Sequence, residues 1–176
     1  NPSGNYDTMG AYQNFGDVFV TLSGGEEAVP EDYCRQLSTW SGLHTVTYTR
    51  GGVKFQRETI ASHPAEVILV RFTADKPGAH SGLIELKGAH NEKTVSEAGD
   101  LVFEGSFPNG LDYVARLRVI AEGGKIRSEG GKVQFEKCDA LTLILGAGTS
   151  YVMDFASKWR GEPPQPRVLG QVSAAA

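Results

Sequence analysis

The chain has 176 residues, and its 17 Lys and Arg against 21 Asp and Glu give a formal net charge of −4. This length favours a single domain that folds without a metal ion or a disulfide. The mild acidity, without runs of like charge, argues against nucleic-acid binding as the main task, and no apolar run approaches the roughly 20 residues that a membrane helix needs.

Strand-like alternation of apolar and polar residues begins at residues 17–22, "DVFVTL". Residues 30–37, "PEDYCRQL", are predicted to form one helical turn or a short connection, because proline is tolerated at a first helical position. Residues 43–49 and 53–60 alternate again on either side of a Gly-Gly pair. Two alternating runs joined by such a pair are typical of a β-hairpin.

The second half of the chain continues in short strand candidates. Residues 66–72, "EVILVRF", are continuously apolar in the middle, as in a strand covered on both faces. The remaining candidates are residues 80–88, 100–106, 112–122, 125–129, 132–136 and 140–147. About ten strands with frequent turn signals predict an all-β fold, a sandwich or barrel.

A change of composition near the end predicts a domain boundary. From Trp159 onward the chain reads "WRGEPPQPRVLGQVSAAA", with three prolines in four residues followed by small residues. Proline-rich segments of this kind act as semi-rigid linkers. We therefore predict a β-sandwich domain over residues 1–158 and a linker over residues 159–176.

The neighbouring Ser62 and His63, flanked by Glu58 and Glu66, are the first candidates for catalysis. Adjacent side chains of a strand point to opposite faces, so Ser62 and His63 do not form a nucleophile–base pair. A serine before His-Pro is more typical of a turn. The two glutamates resemble a glycosidase pair only in residue type, and salt-bridged surface is the favoured interpretation. No catalytic residue is assigned.

Metal and cofactor sites are not predicted either. The four histidines, His44, His63, His80 and His90, lack ligand spacing, and His44 is expected on the core face of its strand. Residues 24–33 are acidic without a calcium-loop pattern, and "GAGTS" at 146–150 lacks the Lys-Ser/Thr of a phosphate loop.

Two cysteines and a few aromatic residues leave alternatives open. Cys34 and Cys138 form no Cys-x-x-Cys motif, so zinc is not expected, and they either form a disulfide or remain two isolated thiols. The candidates for stacking on sugar rings are Trp40, Trp159, Tyr12 and Tyr151. The alternative is that these aromatic side chains are half-buried at the edges of a sandwich.

Several collinear stretches resemble one family. "YQNFGDVFVTL" at 12–22 resembles a strand entry, and residues 31–78 contain Tyr-x-Arg-x-Leu-like, Arg-Glu-x-x-x-Ser-x-Pro-like and Ala-Asp-Lys-Pro-Gly segments in order. "LDYVARLRVIAEGGKIRSEGGKVQFEKCDALTLILGAGTSY" at 111–151 is similar to the later strands. The family is glycoside hydrolase family 95, the α-L-fucosidases and their relatives, and the part resembled is the N-terminal β-sandwich region.

The resemblance implies an antiparallel β-sandwich of the super-sandwich type, incomplete at its N-terminal edge because the family's opening strands have no counterpart before Tyr12. It implies a parent enzyme that hydrolyses terminal α-L-fucosides with inversion and without a cofactor. The catalytic residues of the family lie in a helical barrel that follows this region, and none has a counterpart here. The chain begins without Met or a signal peptide, so it is expected to be processed or part of a longer protein.

The expected partner is therefore the helical catalytic domain of the same parent, and a periplasmic or secreted location follows from the resemblance. Two alternatives belong to other classes. One is a separate carbohydrate-binding module that uses Trp40 or Trp159. The other is a protein-interaction domain that self-associates through an open strand edge.

Overall fold

A computed structural model describes residues 14–24 and 28–176, which form twelve β-strands and one α-helix. The strands are β1 (Gly16–Leu22), β2 (Glu31–Leu37), β3 (His44–Arg50), β4 (Val53–Ser62), β5 (Val67–Ala74), β6 (His80–Gly88), β7 (Val95–Glu97), β8 (Asp100–Ser106), β9 (Asp112–Glu122), β10 (Lys125–Glu129), β11 (Lys132–Cys138) and β12 (Ala140–Thr149). Helix α1 (Gln165–Ala174) follows the last strand.

The strands form two antiparallel sheets that face each other. The smaller sheet has the order β1-β6-β11-β10, and the larger has the order β2-β3-β4-β5-β12-β9-β8-β7. The predicted all-β antiparallel sandwich is confirmed. The predicted β3–β4 hairpin is also confirmed, with Arg50 paired to Val53 across the turn.

Two strands were not predicted. Residues 31–37 form β2 rather than a helical turn or a connection, so that prediction was wrong. The reason is that β2 is exposed along its whole length, and a strand without a buried face needs no alternation of apolar and polar residues. A register shift between Glu31 and Cys34 interrupts the pairing of β2 with β3. Strand β7 has only three residues and pairs with β8 at the opposite edge.

The main core lies between the smaller sheet and part of the larger one. Ile84 and Phe135 of the smaller sheet pack with Phe103, Leu117 and Leu141 of the larger sheet, and all are essentially inaccessible to solvent. Strands β2, β3 and β4 contribute no member to this cluster. The larger sheet thus extends beyond its partner on the β2 side.

Helix α1 covers the outer face of the larger sheet. Val168 and Val172 are fully buried, Val168 with Val102 and Val114, and Val172 with Val67 and Ile144. The continuously apolar β5 is therefore covered on both faces as predicted, because Phe72 belongs to the main core and Val67 packs under the helix.

The helix differs from the predicted linker at residues 159–176. Pro164 is the N-cap and Pro166 lies in the first turn, where a missing N–H breaks no helical hydrogen bond. The prolines therefore start a helix instead of extending the chain. The boundary at residue 158 stays a prediction. So does the incomplete N-terminal edge, because the sequence before Tyr12 lies outside the described residues.

Two glycines of β12 allow the helix to approach the sheet. A Cβ atom at Gly146 would lie 2.7 Å from Cγ2 of Val172 and 3.1 Å from Cγ1 of Val168. A Cβ atom at Gly148 would lie 3.1 Å from Cγ2 of Val168. The segment "GAGTS" is thus a close-packed contact between the sheet and α1.

Candidate functional site

The Ser62–His63 segment is a turn, as predicted. The Ser62 hydroxyl accepts a hydrogen bond from the backbone N–H of Ala65 at 3.3 Å. Glu66 closes the turn with a left-handed backbone, φ 53°, and its carboxylate accepts a hydrogen bond from Gln171 of α1. The side chains of Ser62 and Glu66 are therefore engaged in shaping the turn and in holding the helix. Glu58 lies within β4, opposite Arg71 in register.

The histidines are distributed without a common centre. In the described ranges, 14–24 and 28–176, no group of three or more His, Cys, Asp or Glu side chains could hold a metal ion. His44 is half-buried, whereas His80 is 2% exposed. Part of the acidic segment 24–33 lies outside the described residues.

His80 is the buried histidine that sequence reasoning did not single out. It begins β6, and its ring lies edge-on to Phe55 at 5.6 Å and to Phe72 at 6.4 Å between centroids. Burial lowers the pKa of His80 by disfavouring the imidazolium, and the nearby backbone of Thr73 offsets this only in part. Neither ring nitrogen has a well-formed hydrogen bond within the described part of the chain.

A buried charge cluster lies on the outer face of the larger sheet. Asp100 is 2% exposed and accepts hydrogen bonds from Arg116 Nη1 at 2.9 Å and from Arg118 Nε at 2.8 Å. Arg116 also donates to Glu97 at 2.6 Å. Val102, which pairs with Arg116 in register, packs under α1. Every member of the cluster is paired within it, so removal of one partner would leave a buried charge uncompensated.

Several exposed apolar side chains lie close together on the segment Tyr151–Arg160, which we name the aromatic loop. An isolated bridge between Tyr151 and Arg160 closes it. The Asp154 carboxylate accepts hydrogen bonds from the backbone N–H groups of Ala156 and Ser157, each at 3.1 Å. These bonds fix the conformation of the loop locally.

Aromatic rings stand together on this loop. The rings of Tyr151 and Trp159 are nearly parallel, 9° apart with centroids at 6.3 Å, and Phe155 meets Trp159 edge-on. Phe155 is 81% exposed and Met153 is 86% exposed. A groove of about 580 Å³ runs beside the rings and is bordered by Asn109 and Leu111 on the neighbouring turn. The loop offers a preformed apolar surface to a protein or to a sugar ring.

The two predicted sugar-stacking tryptophans are far from equivalent. Trp159 borders the groove and is stacked on Tyr151. Trp40 lies in the turn between β2 and β3 and is 99% exposed. Of these two tryptophans, Trp159 alone lies among other aromatic rings of the described residues.

Two further expectations concern cysteines and membranes. Cys34 and Cys138 are both free, Cys34 exposed and Cys138 buried, so two isolated thiols is the correct alternative. Burial raises the pKa of the Cys138 thiol.

Of the helices in the described ranges, none is long and apolar enough to cross a membrane.

Comparison with known proteins identifies the family to which this chain belongs. Residues 2–154 match the family model described as "Glycosyl hydrolase family 65, N-terminal domain". The predicted resemblance to the N-terminal region of a glycoside hydrolase is thereby confirmed. The matching model carries the family number 65, whereas the motifs suggested 95.

Two curated relatives are similar over most of the chain. The sequence is 28% identical over 167 residues to "Alpha-L-fucosidase 2" of Arabidopsis thaliana. The aligned region covers 80% of this chain and 20% of that protein. It is 26% identical over 159 residues to "Probable alpha-fucosidase A" of Aspergillus oryzae. Here the aligned region covers 84% of this chain and 21% of that protein. The chain spans about a fifth of the length of these relatives.

A solved structure named "Putative kojibiose phosphorylase from human microbiome" shares the fold. It superposes with a TM-score of 0.58 at 11% sequence identity, covering 92% of this chain and 25% of that one. At this identity the likeness concerns the fold alone.

Proposed function

Because the chain belongs to the N-terminal domain family of glycosyl hydrolase family 65, we propose that it acts as a non-catalytic β-sandwich in a larger glycoside hydrolase. The observation that carries this proposal is the match over residues 2–154, which takes in all twelve strands. In this role the sandwich supports a catalytic domain that supplies the reacting groups.

For the larger protein we propose hydrolysis of terminal α-L-fucosides or related sugars. The support is the pair of curated relatives, which are a fucosidase and a probable fucosidase by name. Since the chain covers about a fifth of each relative, the reaction is assigned to the larger protein and no residue of this chain is given a catalytic role.

The aromatic loop is the surface that we assign to the catalytic partner domain. Met153 and Phe155 expose most of their apolar area although the loop itself is fixed by hydrogen bonds. Contiguous exposed apolar residues on a fixed segment are typical of an interface that another domain covers. A helical domain that packs there would bury these side chains without a rearrangement of the loop.

The test measures fucose release from an α1,2-fucosylated oligosaccharide by this chain and by the full-length gene product. We expect release by the full-length protein and no release above buffer by the 176-residue chain. Release by the chain alone, blocked by a fucosidase inhibitor, would overturn the non-catalytic assignment. No release by either protein would overturn the proposed activity.

The same pair of proteins tests the interface with the double variant Met153→Ser/Phe155→Ser. We expect lower thermal stability of the full-length protein and unchanged stability of the isolated chain, because both side chains are exposed in the chain alone. Val29→Ser, at an equally exposed position (80%) away from the loop, is the matched control. An equal loss of stability in both proteins would show that the loop supports the sandwich and not a partner.

A separate carbohydrate-binding role is the second candidate, favoured by the parallel rings of Tyr151 and Trp159 beside the groove. This role predicts glycan binding by the isolated chain that Trp159→Ala abolishes and that Trp40→Ala leaves unchanged. Self-association through the edge strands β1 and β2 is the further alternative. It predicts a concentration-dependent increase of molecular mass in sedimentation experiments.

A further inference from the structure

Strands β2, β3 and β4 lie beyond the smaller sheet, and we name them the overhanging strands. Among the residues of these three strands, all of which the structure describes, only Val46 and Phe55 are buried. Neither residue belongs to the main core cluster. Apart from the ladder between β4 and β5, the overhanging strands therefore depend on a small junction with the end of the smaller sheet.

His80 is central to this junction. It begins β6 and is 2% exposed. Its ring lies edge-on to Phe55 of the overhanging strands, with centroids 5.6 Å apart, and edge-on to Phe72 of β5 at 6.4 Å. Leu22 and His80 line a cavity of about 150 Å³ from the smaller sheet, together with residues of all three overhanging strands. The imidazole is thus enclosed in part by the overhanging strands, and it becomes accessible to water when they move away.

The surroundings of His80 do not compensate a positive charge. The titratable and charged side chains that the neighbouring strands place around it are Tyr33, Tyr48, Arg57 and Cys138, of which Cys138 pairs with His80 in register. No carboxylate stands among the described residues that line the cavity, and Arg57 is itself a cation. Burial lowers the pKa of His80, and the backbone of Thr73 offsets this shift only in part. A proton on the enclosed imidazole would therefore be a buried charge without an opposite charge beside it.

We propose that His80 is an acid-sensitive latch, which holds the overhanging strands closed while its imidazole is neutral and lets them open locally when the imidazole takes up a proton from solvent. The folded pKa of His80 is lower than its ordinary value of 6.5, so the open form, in which the ring is in water, binds the proton first as pH falls. Local opening therefore becomes easier as pH falls below 6.5 and levels off below the folded pKa. The latch does not depend on the activity of the larger protein.

The experiment measures hydrogen exchange of the backbone amides of the 176-residue chain by NMR, from about pH 7.5 to about pH 4.5. Each rate is corrected for the pH dependence of chemical exchange, so that it reports the opening equilibrium of its strand. We expect the opening constant of the overhanging strands to rise by about tenfold for each pH unit below 6.5, because one proton is taken up on opening. The amides of β12 should remain better protected than those of the overhanging strands at every pH.

Two variants assign the effect to one side chain. His80→Phe keeps a ring against Phe55 and Phe72 but takes up no proton, so the rise in opening should disappear in this variant. The carboxylates are the same in both chains, and the difference between them therefore isolates the imidazole. His44→Gln, the matched control, removes the half-buried histidine that begins β3 and should keep the pH dependence of the parent chain. Direct NMR titration of the His80 ring in the parent chain gives a second measurement that needs no variant, and the folded pKa should lie below 6.5.

Several outcomes would overturn the proposal. One is an opening constant of the overhanging strands that does not change with pH, and another is a His80 ring that titrates at or above its ordinary pKa. The same pH dependence in His80→Phe, or its loss in His44→Gln alone, would show that another group is responsible. Equal opening of the overhanging strands and β12 at every pH would show that acid unfolds the whole sandwich at once and that His80 controls no local step.

Discussion

Asp100 is the residue whose surroundings have the clearest consequence for stability. Burial alone would raise the pKa of Asp100, but hydrogen bonds from Arg118 and Arg116 outweigh it and hold this pKa below its ordinary value. Arg116, 5% exposed, depends in turn on Asp100 and Glu97 for its partners. Removal of Asp100 leaves the buried Arg116 guanidinium with Glu97 as its one partner, and Glu97 is partly exposed.

We predict that Asp100→Asn lowers the free energy of unfolding by about 3 kcal/mol, as for other buried ion pairs that lose one partner. The folded pKa of Asp100 is depressed, so its contribution is present above the unfolded pKa and is lost as pH falls through the folded value. Urea unfolding between pH 7 and pH 2 should therefore show a steeper acid loss in the parent chain than in the variant. Equal pH profiles would show that Asp100 is not held ionised by the arginines.

The sequence predicts some of these residue roles and misses others for a physical reason. The turn at Ser62 follows from local chemistry, because a serine hydroxyl and a following proline favour a turn in any fold. The burial of His80 rather than His44 does not follow, because both begin alternating strands. Which of the two is enclosed depends on where the smaller sheet stops, and a local pattern does not contain that information.

At the scale of elements, helix α1 and strand β12 fit because β12 lacks side chains where the helix crosses. Gly146 faces Val168 and Val172 at distances that leave no room for a methyl group. Gly170 of the same helix has no described heavy atom near its own added Cβ position. A larger residue at Gly146 would collide with the helix, whereas Gly170 has free space around it. Substitution of each glycine by alanine therefore tests whether this difference in packing affects stability.

We predict that Gly146→Ala destabilises the chain by about 1–2 kcal/mol, because the added methyl group forces the helix away from the sheet. Gly170→Ala, the control, should stabilise it by up to about 1 kcal/mol, since alanine has the higher helix propensity. Urea unfolding gives both values, and hydrogen exchange of the α1 amides shows whether the helix has moved. Stabilisation by both substitutions would contradict the close packing at Gly146.

Prediction succeeds for the strands with a buried face and for the exposed β10, which has a Gly-Gly pair at each end, and it fails where the environment is unusual. The ten alternating or apolar runs all correspond to strands. Strand β2 is missed because it has no buried face. Helix α1 is missed because its prolines are typical of a linker in isolation, and only packing of Val168 and Val172 on the sheet makes the helix favourable.

For the whole molecule, the two sheets differ in size, and local stability is therefore expected to vary along the larger sheet. Strands β12 and β9 are central in the larger sheet, pair with a neighbour on each side and pack against the main core. Strand β2 is at an edge, is exposed along its length and pairs irregularly with β3. Local opening should therefore require less free energy toward β2.

We predict that hydrogen exchange of backbone amides is slowest in β12 and β9 and becomes faster from β5 through β4 and β3 to β2. The gradient follows from the loss of core contacts beyond β5. Mass spectrometry or NMR of the isolated chain measures it strand by strand. Protection of β2 as strong as that of β12 would show that something covers this edge in solution, such as a second copy of the chain.

The position of β12 in the larger sheet also sets an order for biosynthesis. Strand β5 ends at residue 74, but its second neighbour, β12, begins only at residue 140. On the ribosome, the meander β2-β3-β4-β5 therefore has an unpaired apolar edge until nearly the whole domain has been synthesised. Such an edge is open to wrong pairing with other nascent chains, and the long sequence separation of its partner slows the correct closure. Chaperone dependence during translation should therefore be greatest after β5 emerges and should end when β12 has left the exit tunnel.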